Sequence, residues 1–400
     1  MTVGSRPIYL DGQATTPVDH RVVDAMLPYF TQYPGNPSSG GHRYGWEAEA
    51  AVEQARETLA NAIHACPEEL IFTSGATEAD NLAIKGVAEA YLHRGRHLVT
   101  VQTEHNAVLA PCRYLETLGF EVTYLPVAAN GLLDVATLER ALRADTLLVS
   151  VMAANNEIGV LQPLAEIGAV CRAHQVLFHT DAAQALAKIP LDVEAMSIDL
   201  MSLTAHKVYG PKGIGALYVR RRHPRVRLAA QIHGGGQEQG WRSGTLATPQ
   251  IVGFAKAVDL ELAAQPAEGQ RLLRLRERLW QQLSRLEGIH RNGELTHSLP
   301  GCLNVSIEGI DGAQLLLGLQ PYVALSSGAA CATKKPTPSH VLTALGHEPQ
   351  LARSSLRFGI GRFNTRAEID QVAQRVMTTV QALRHSGHSE FRALNTSAQT

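Results

Sequence analysis

Between about residue 70 and residue 220, short apolar runs alternate with amphipathic stretches, and this alternation restricts the chain to few folds. The apolar runs fall at 70–72, 97–101, 120–124, 147–151 and 176–178; helical periodicity occupies 78–93, 106–118, 135–143 and 163–174. Strand and helix in alternation predict an α/β fold with a mostly parallel central sheet flanked by helices. Ligands of such sheets sit beyond the carboxyl ends of the strands. Thr73-Ser74-Gly75, His105, Asn155-Asn156 and Asp181 all directly follow strand-like runs. From about residue 265 the texture changes to a long charged helix, short strands around 302–306, 323–325 and 356–358, and a closing helix from 367 to 384. These predict a large domain over 15–260, a smaller α+β domain from 1–14 and 261–385, and a polar tail over 386–400 that is expected to be disordered.

Composition excludes several function classes. A formal net charge of −1 carries no general attraction for nucleic acid or acidic membranes. The densest basic run, Arg220-Arg221-Arg222 with Arg225 and Arg227, reads as a solvated loop. Residues 1–7 hold no apolar signal core, and no apolar run is long enough for a membrane span. The five cysteines (Cys66, Cys112, Cys171, Cys302 and Cys331) form no CxxC pair, and no HExxH occurs. No disulfide framework or metal site is expected, and a reducing cytoplasm is the natural compartment.

Two strand ends carry the strongest chemical signal. Asp181 ends the run at 176–178, and Lys207 follows the run at 200–203. A carboxylate and an amine aimed into one crevice suit pyridoxal 5'-phosphate: the amine holds the aldehyde, and the carboxylate keeps the pyridine nitrogen protonated. Ser74-Gly75-Ala76-Thr77-Glu78 stands where a strand turns into a helix, where free N–H groups suit a phosphate; taken alone, an ordinary capped helix start explains it. The glycine-rich run 234–245 matches neither GxGxxG nor a Walker A loop. It reads as a surface loop, or as backbone approaching a ligand or a subunit interface. Cys331 follows Ser326-Ser327-Gly328-Ala329-Ala330 and precedes a polar segment with Lys334 and Lys335, which predicts an exposed loop that favours thiolate. The other four cysteines read as small buried hydrophobes. Arg357 interrupts a short strand, facing solvent or clamping a carboxylate with its planar fork.

Taken together these residues resemble the group I cysteine desulfurases of the NifS/IscS kind, in the class V aminotransferase group of fold-type I pyridoxal phosphate enzymes. The resemblance runs from about Ile8 to about Arg384. It rests on Tyr9-Leu10-Asp11 with Ala14-Thr15-Thr16-Pro17, Gly35-Asn36-Pro37-Ser38-Ser39, Phe72 to Glu78, Thr103-Glu104-His105, Asn155 to Gly159, His179 to Gln184, His206 to Gly213, Arg242-Ser243-Gly244-Thr245 and the segment ending at Cys331. It implies that Lys207 holds the cofactor and moves the substrate's Cα proton, that Asp181 pairs with the ring nitrogen and Gln184 with the ring phenolate oxygen, and that His105 stacks on the ring. Gly75, Ala76, Thr77, Thr204 and His206 would hold the phosphate, with Thr245 reaching it from the partner subunit of a homodimer. Asn156 and Arg357 would bind the carboxylate of L-cysteine, and Cys331 would accept the sulfur.

The end of the chain departs from members that dock an iron–sulfur scaffold protein through an extension with apolar and acidic residues; here Ser389-Glu390-Phe391-Arg392 leads into a polar tail. Sulfur-acceptor proteins are still implied as partners. A selenocysteine lyase or cysteine C–S lyase on the same fold is the competing expectation. An adaptor that keeps the cofactor but mainly binds proteins stands behind both.

Overall fold

The computed structural model describes residues 6–327 and 337–397, with side chains described as far as residue 385. The chain divides into two compact units. One comprises Thr15–Asn156 and Val160–Pro266; the other comprises the N-terminal residues to Ala14, the short stretch Glu157–Gly159 and the chain from Ala267 onward.

The larger unit is built on a seven-stranded sheet. Across it the strands run Leu70–Thr73, Gly215–Val219, Leu200–Thr204, Leu177–Asp181, Thr146–Ser150, His97–Val101 and Glu121–Leu125. All neighbours from Leu200–Thr204 to Glu121–Leu125 are parallel, and Gly215–Val219 is antiparallel to both of its neighbours. The parallel strands predicted from the apolar runs are therefore present. The antiparallel one is an addition, and its cause is local: it follows Leu200–Thr204 through Gly210-Pro211-Lys212-Gly213, too short a link for a helical crossover. Six of the seven strands (70–73, 97–101, 146–150, 177–181, 200–204 and 215–219) are buried throughout, as continuous apolar runs require when helices cover both faces. Only Glu121–Leu125, at the sheet edge, is partly exposed.

Helix Ala76–Ala90 lies across this sheet and packs Leu82, Ala83, Ile84 and Val87 against Leu148, Leu177, Leu200 and Leu217. Two other helices start on side-chain caps at predicted strand ends or turns: His105 caps Asn106–Thr117, and Asp134 caps Val135–Ala141.

The smaller unit carries a four-stranded antiparallel sheet in the order Ser326–Ser327, Ser355–Gly359, Cys302–Ile307, Ile289–Arg291. The N-terminal strand Ile8–Tyr9 pairs in parallel with Val323–Ala324. Leu303, Val305, Leu356, Phe358, Leu315 and Val376 belong to its core. Its last helix runs Arg366–Ser397, so the backbone is helical over 386–397, where the sequence predicts an aperiodic tail. Among the described residues no helix is long and apolar enough to cross a membrane.

Candidate functional site

In the larger unit the carboxyl ends of neighbouring strands gather most of the residues singled out by sequence. Asp181 closes its strand opposite Ser202 of the next one, is 6% exposed, and accepts a 2.8 Å hydrogen bond from the Ala183 N–H. Gln184 is buried in the turn that follows. Lys207 is half-buried just past the end of Leu200–Thr204. Asp181 ends one strand and Lys207 follows the end of the adjacent parallel strand, which places amine and carboxylate in the same region.

The turn that carries Lys207 is held by the N-terminal part of the same unit. Thr16 donates from Oγ1 to the His206 carbonyl at 3.0 Å and accepts from the Tyr209 N–H at 2.8 Å. The Thr16 N–H reaches the same carbonyl at 2.9 Å. Tyr209 sits at φ 63°, a left-handed conformation unusual for a bulky residue, and these bonds hold it there. Thr16, part of a motif conspicuous in sequence without an evident task, is thus a brace for the lysine turn. Burial, aided by the charges of Lys207, Lys212 and Lys188, lowers the His206 pKa to about 4.

Gly75 begins helix Ala76–Ala90 with φ 151° and without a side-chain cap. The first-turn N–H groups therefore face outward from a strand-to-helix turn, an arrangement that receives anions. Thr204 borders it: a β-carbon on Gly75 would lie 3.9 Å from Thr204 Oγ1. Gly215 makes the approach possible, since a β-carbon there would stand 2.4 Å from the Leu203 carbonyl and 2.7 Å from Gly75. Thr77 and His105 line one cavity of about 430 Å³ with Asn81, Lys85 and Tyr114. His105 Nδ1 accepts the Ala107 N–H at 3.1 Å, so the neutral ring carries its proton on Nε2. An amine, a buried carboxylate, an imidazole and an uncapped helix start with two neighbouring threonines form a donor set that fits pyridoxal phosphate.

Asn156 is half-buried in the larger unit, and Thr245 is exposed there, next to a loop anchored by its own residues. Arg357 belongs to the smaller unit and is 8% exposed. Its Nη2 donates to Asp11 Oδ1 and to Ser326 Oγ, both at 2.8 Å. Asp11 was present in the motifs without an assigned task, and it holds this arginine. Cys331 lies outside the described residues. Of the other cysteines, Cys112, Cys171 and Cys302 are buried as expected, and burial pushes the Cys112 thiol up to about 12. Cys66 departs from the expectation and is exposed, because it stands at the start of a 3-10 turn ahead of Pro67. No three His, Cys, Asp or Glu side chains come together to hold a metal among the described residues.

Three buried groups beneath the site have no role in the sequence-based expectation. Asp80, Glu104 and His179 are all 0% exposed. His179 joins three strands, with Nδ1 2.8 Å from Ser150 Oγ and Nε2 3.0 Å from Ser202 Oγ, and Asp80 Oδ1 lies 3.6 Å from the same Nε2. Glu104 Oε1 accepts the Met152 N–H at 2.6 Å. Burial and then the charge of Asp181 push both Asp80 and Glu104 well above the usual carboxylate range, and burial lowers His179 to about 3. Burial therefore disfavours charge on all three members of this network. A signal was available: Asp80 shares the helix face of Ala83, Ile84 and Val87, where an acid is out of place.

Residues 8–372 match the model of the aminotransferase class-V family. The chain is 54% identical over 380 residues to the cysteine desulfurase of Homo sapiens, covering 95% of this chain and 83% of that protein. It is 53% identical over 378 residues to the cysteine desulfurase IscS of Methylococcus capsulatus, covering 94% and 93%. Among solved structures it superposes on a NifS-like protein with a TM-score of 0.87 at 37% identity, covering 94% of this chain and all of that one. It also superposes on SspA in complex with cysteine, with a TM-score of 0.78 at 40% identity, covering 90% and 100%. The chain belongs to the class V aminotransferase family and, within it, to the cysteine desulfurases.

Proposed function

We propose that this protein converts L-cysteine to L-alanine with pyridoxal phosphate and carries the released sulfur on Cys331 as a persulfide. The observation that supports this most is the convergence of Lys207 and Asp181 at neighbouring strand ends, beside the uncapped helix start at Gly75. When bound, the cofactor supplies an aldehyde for the amine and a ring that absorbs the electron pair left at the substrate's Cα. Lys207 would hold the aldehyde and move the substrate's Cα proton. Asp181 would pair with the ring nitrogen and Gln184 with the phenolate oxygen, and His105 would serve the ring with its Nε2 proton in acid–base steps. Gly75, Ala76, Thr77, Thr204 and His206 would bind the phosphate, joined by Thr245 of a second copy. Asn156 and Arg357 bind the substrate carboxylate.

In the sulfur step, Cys331 thiolate attacks the substrate sulfur. An S–S bond forms, the substrate's Cβ–Sγ bond breaks, and the fragment gains a proton at Cβ and leaves as alanine. One thiol proton is consumed, so atoms and charge balance. An unshifted thiol of pKa about 8.5 is only a few per cent thiolate at neutral pH, which makes the lysines beside Cys331 useful. The persulfide then serves a sulfur-acceptor protein, such as an iron–sulfur scaffold, in a reducing cytoplasm.

The test is an absorbance spectrum before and after L-cysteine, with alanine and sulfide assayed under reductant. A shifting visible band with equal alanine and sulfide is expected, and Cys331→Ala should lose desulfuration by at least a hundredfold while keeping the band. Pyruvate and ammonia in place of alanine, or selenocysteine turnover that survives Cys331→Ala, would replace this reading with a lyase. No band after adding cofactor would overturn the assignment of Lys207 and Asp181.

A further inference from the structure

The glycine-rich loop ahead of Thr245 contains a strained segment and a buried ion pair that the reaction does not use. Glu238 and Gln239 both adopt positive φ, 47° and 61°, a conformation that a β-carbon disfavours. Two such residues in succession persist only where surrounding contacts hold them. Those contacts are present. Glu238 is 8% exposed and takes a two-pronged pair from Arg56, with Nη2 to Oε1 at 2.8 Å and Nη1 to Oε2 at 3.0 Å. The Phe72 N–H, in the strand that leads into the Gly75 turn, also donates to Oε2 at 2.6 Å. Arg56 in turn donates to the Leu70 carbonyl at 2.8 Å and lies over the Phe72 ring at 4.6 Å.

A second tie lies closer to Thr245. Arg242 grips Glu78 with Nε to Oε1 at 2.7 Å and Nη2 to Oε2 at 3.2 Å. Glu78 stands in the first turn of helix Ala76–Ala90 and also accepts the Ser74 N–H at 2.8 Å. Within the loop, the Gly244 N–H donates to Gln237 Oε1 at 2.9 Å. The strand that feeds the phosphate turn, the first turn of the helix and the loop that ends at Thr245 are thus joined by charged bonds at Glu238 and Arg242.

We propose that the Arg56–Glu238 pair is a latch that presets the 233–245 loop, making Glu238 and Arg56 positioning residues for cofactor-phosphate binding. This rests on the reading that Thr245 reaches a phosphate. The latch acts before the cofactor arrives: a loop already ordered loses less freedom on binding. Its loss should therefore weaken cofactor affinity and leave turnover at saturating cofactor largely unchanged.

The experiment compares the parent with Glu238→Gln, with the double variant Arg56→Met/Glu238→Leu, and with Thr245→Ala. The double variant removes both charges, so no buried charge is left unpaired if the single substitution fails to fold. Two quantities are read: amide hydrogen exchange over 233–245 in the cofactor-free protein, and pyridoxal phosphate affinity by fluorescence titration. Expected for the latch variants are exchange at least tenfold faster in this loop, a dissociation constant raised about tenfold, and kcat at saturating cofactor within about twofold of the parent. Thr245→Ala should weaken the cofactor without faster exchange. Unchanged exchange in the double variant overturns the latch. Faster exchange with unchanged affinity overturns the positioning role; if Thr245→Ala also leaves affinity unchanged, the phosphate assignment of Thr245 falls with it.

Discussion

Two buried carboxyls, Asp80 and Glu104, lie within reach of the charge of Asp181. Asp80 and Glu104 are driven toward the neutral acid by burial and by Asp181 itself. A carboxyl whose pKa is raised by folding stabilises the fold fully below its ordinary value of 3.8, and that contribution is lost as pH rises through the raised value. His179 has the opposite sign: its folded pKa is lowered from 6.5 to about 3, so stability is lost as pH falls through that interval. Asp80→Asn keeps the shape and removes the titration. Relative to the parent, this variant should be more stable at pH 8 than at pH 4, by about 1 kcal/mol or more of differential stability, measured by urea denaturation at the two pH values. A pH-independent difference would mean that Asp80 does not titrate differently in the folded and unfolded chain. Glu78 illustrates the reverse balance. Its burial favours the neutral acid, but bonds from Arg242 and Ser74 outweigh it and hold the carboxylate below its usual range.

At the scale of elements, the strand-to-helix turn at Gly75 depends on the strand beside it. Gly215 opens the antiparallel strand Gly215–Val219 and leaves no space for a β-carbon against Leu203 and Gly75. Both obstacles are backbone, which cannot turn aside. Gly215→Ala should cost about 1–3 kcal/mol of stability by denaturant unfolding, and in folded protein should weaken pyridoxal phosphate more than tenfold. A substitution tolerated without change in either would show that the turn is not packed as closely as described. The turn itself was legible, because Ser74-Gly75-Ala76-Thr77 separates an apolar run from a helical pattern. The pressure on Gly215 was not, because it comes from residues of two other strands.

At the scale of the molecule, Thr245 is exposed, while Lys207 is half-buried in the region of Asp181. If Thr245 serves the phosphate of a second copy, mixed dimers offer a test. Thr245→Ala and Lys207→Ala chains, each impaired alone, should on mixing and reassembly form heterodimers with one complete site. Roughly a quarter of parental activity is expected, since about half the dimers are mixed and each has one intact site. No recovery beyond the sum of the separate chains would place Thr245 in its own chain's site or outside any site.

The order of apolar and amphipathic runs determined the parallel sheet, because burial on both faces leaves a strand no choice but a continuous apolar run. It also placed Asp181, Lys207, His105 and Gly75 at strand ends, where chain direction alone aims residues at one edge of a sheet. Tertiary structure decided what those residues meet. Thr16 bracing the Lys207 turn, Asp11 holding Arg357, and Asp80 beneath Asp181 join positions far apart in the chain. The direction of Gly215–Val219 lay between the two, since the shortness of its connection requires it. Periodicity reports how one segment meets its own core. The charge state of a buried acid or the strain in a loop depends on neighbours from other segments, and only the folded chain brings these together.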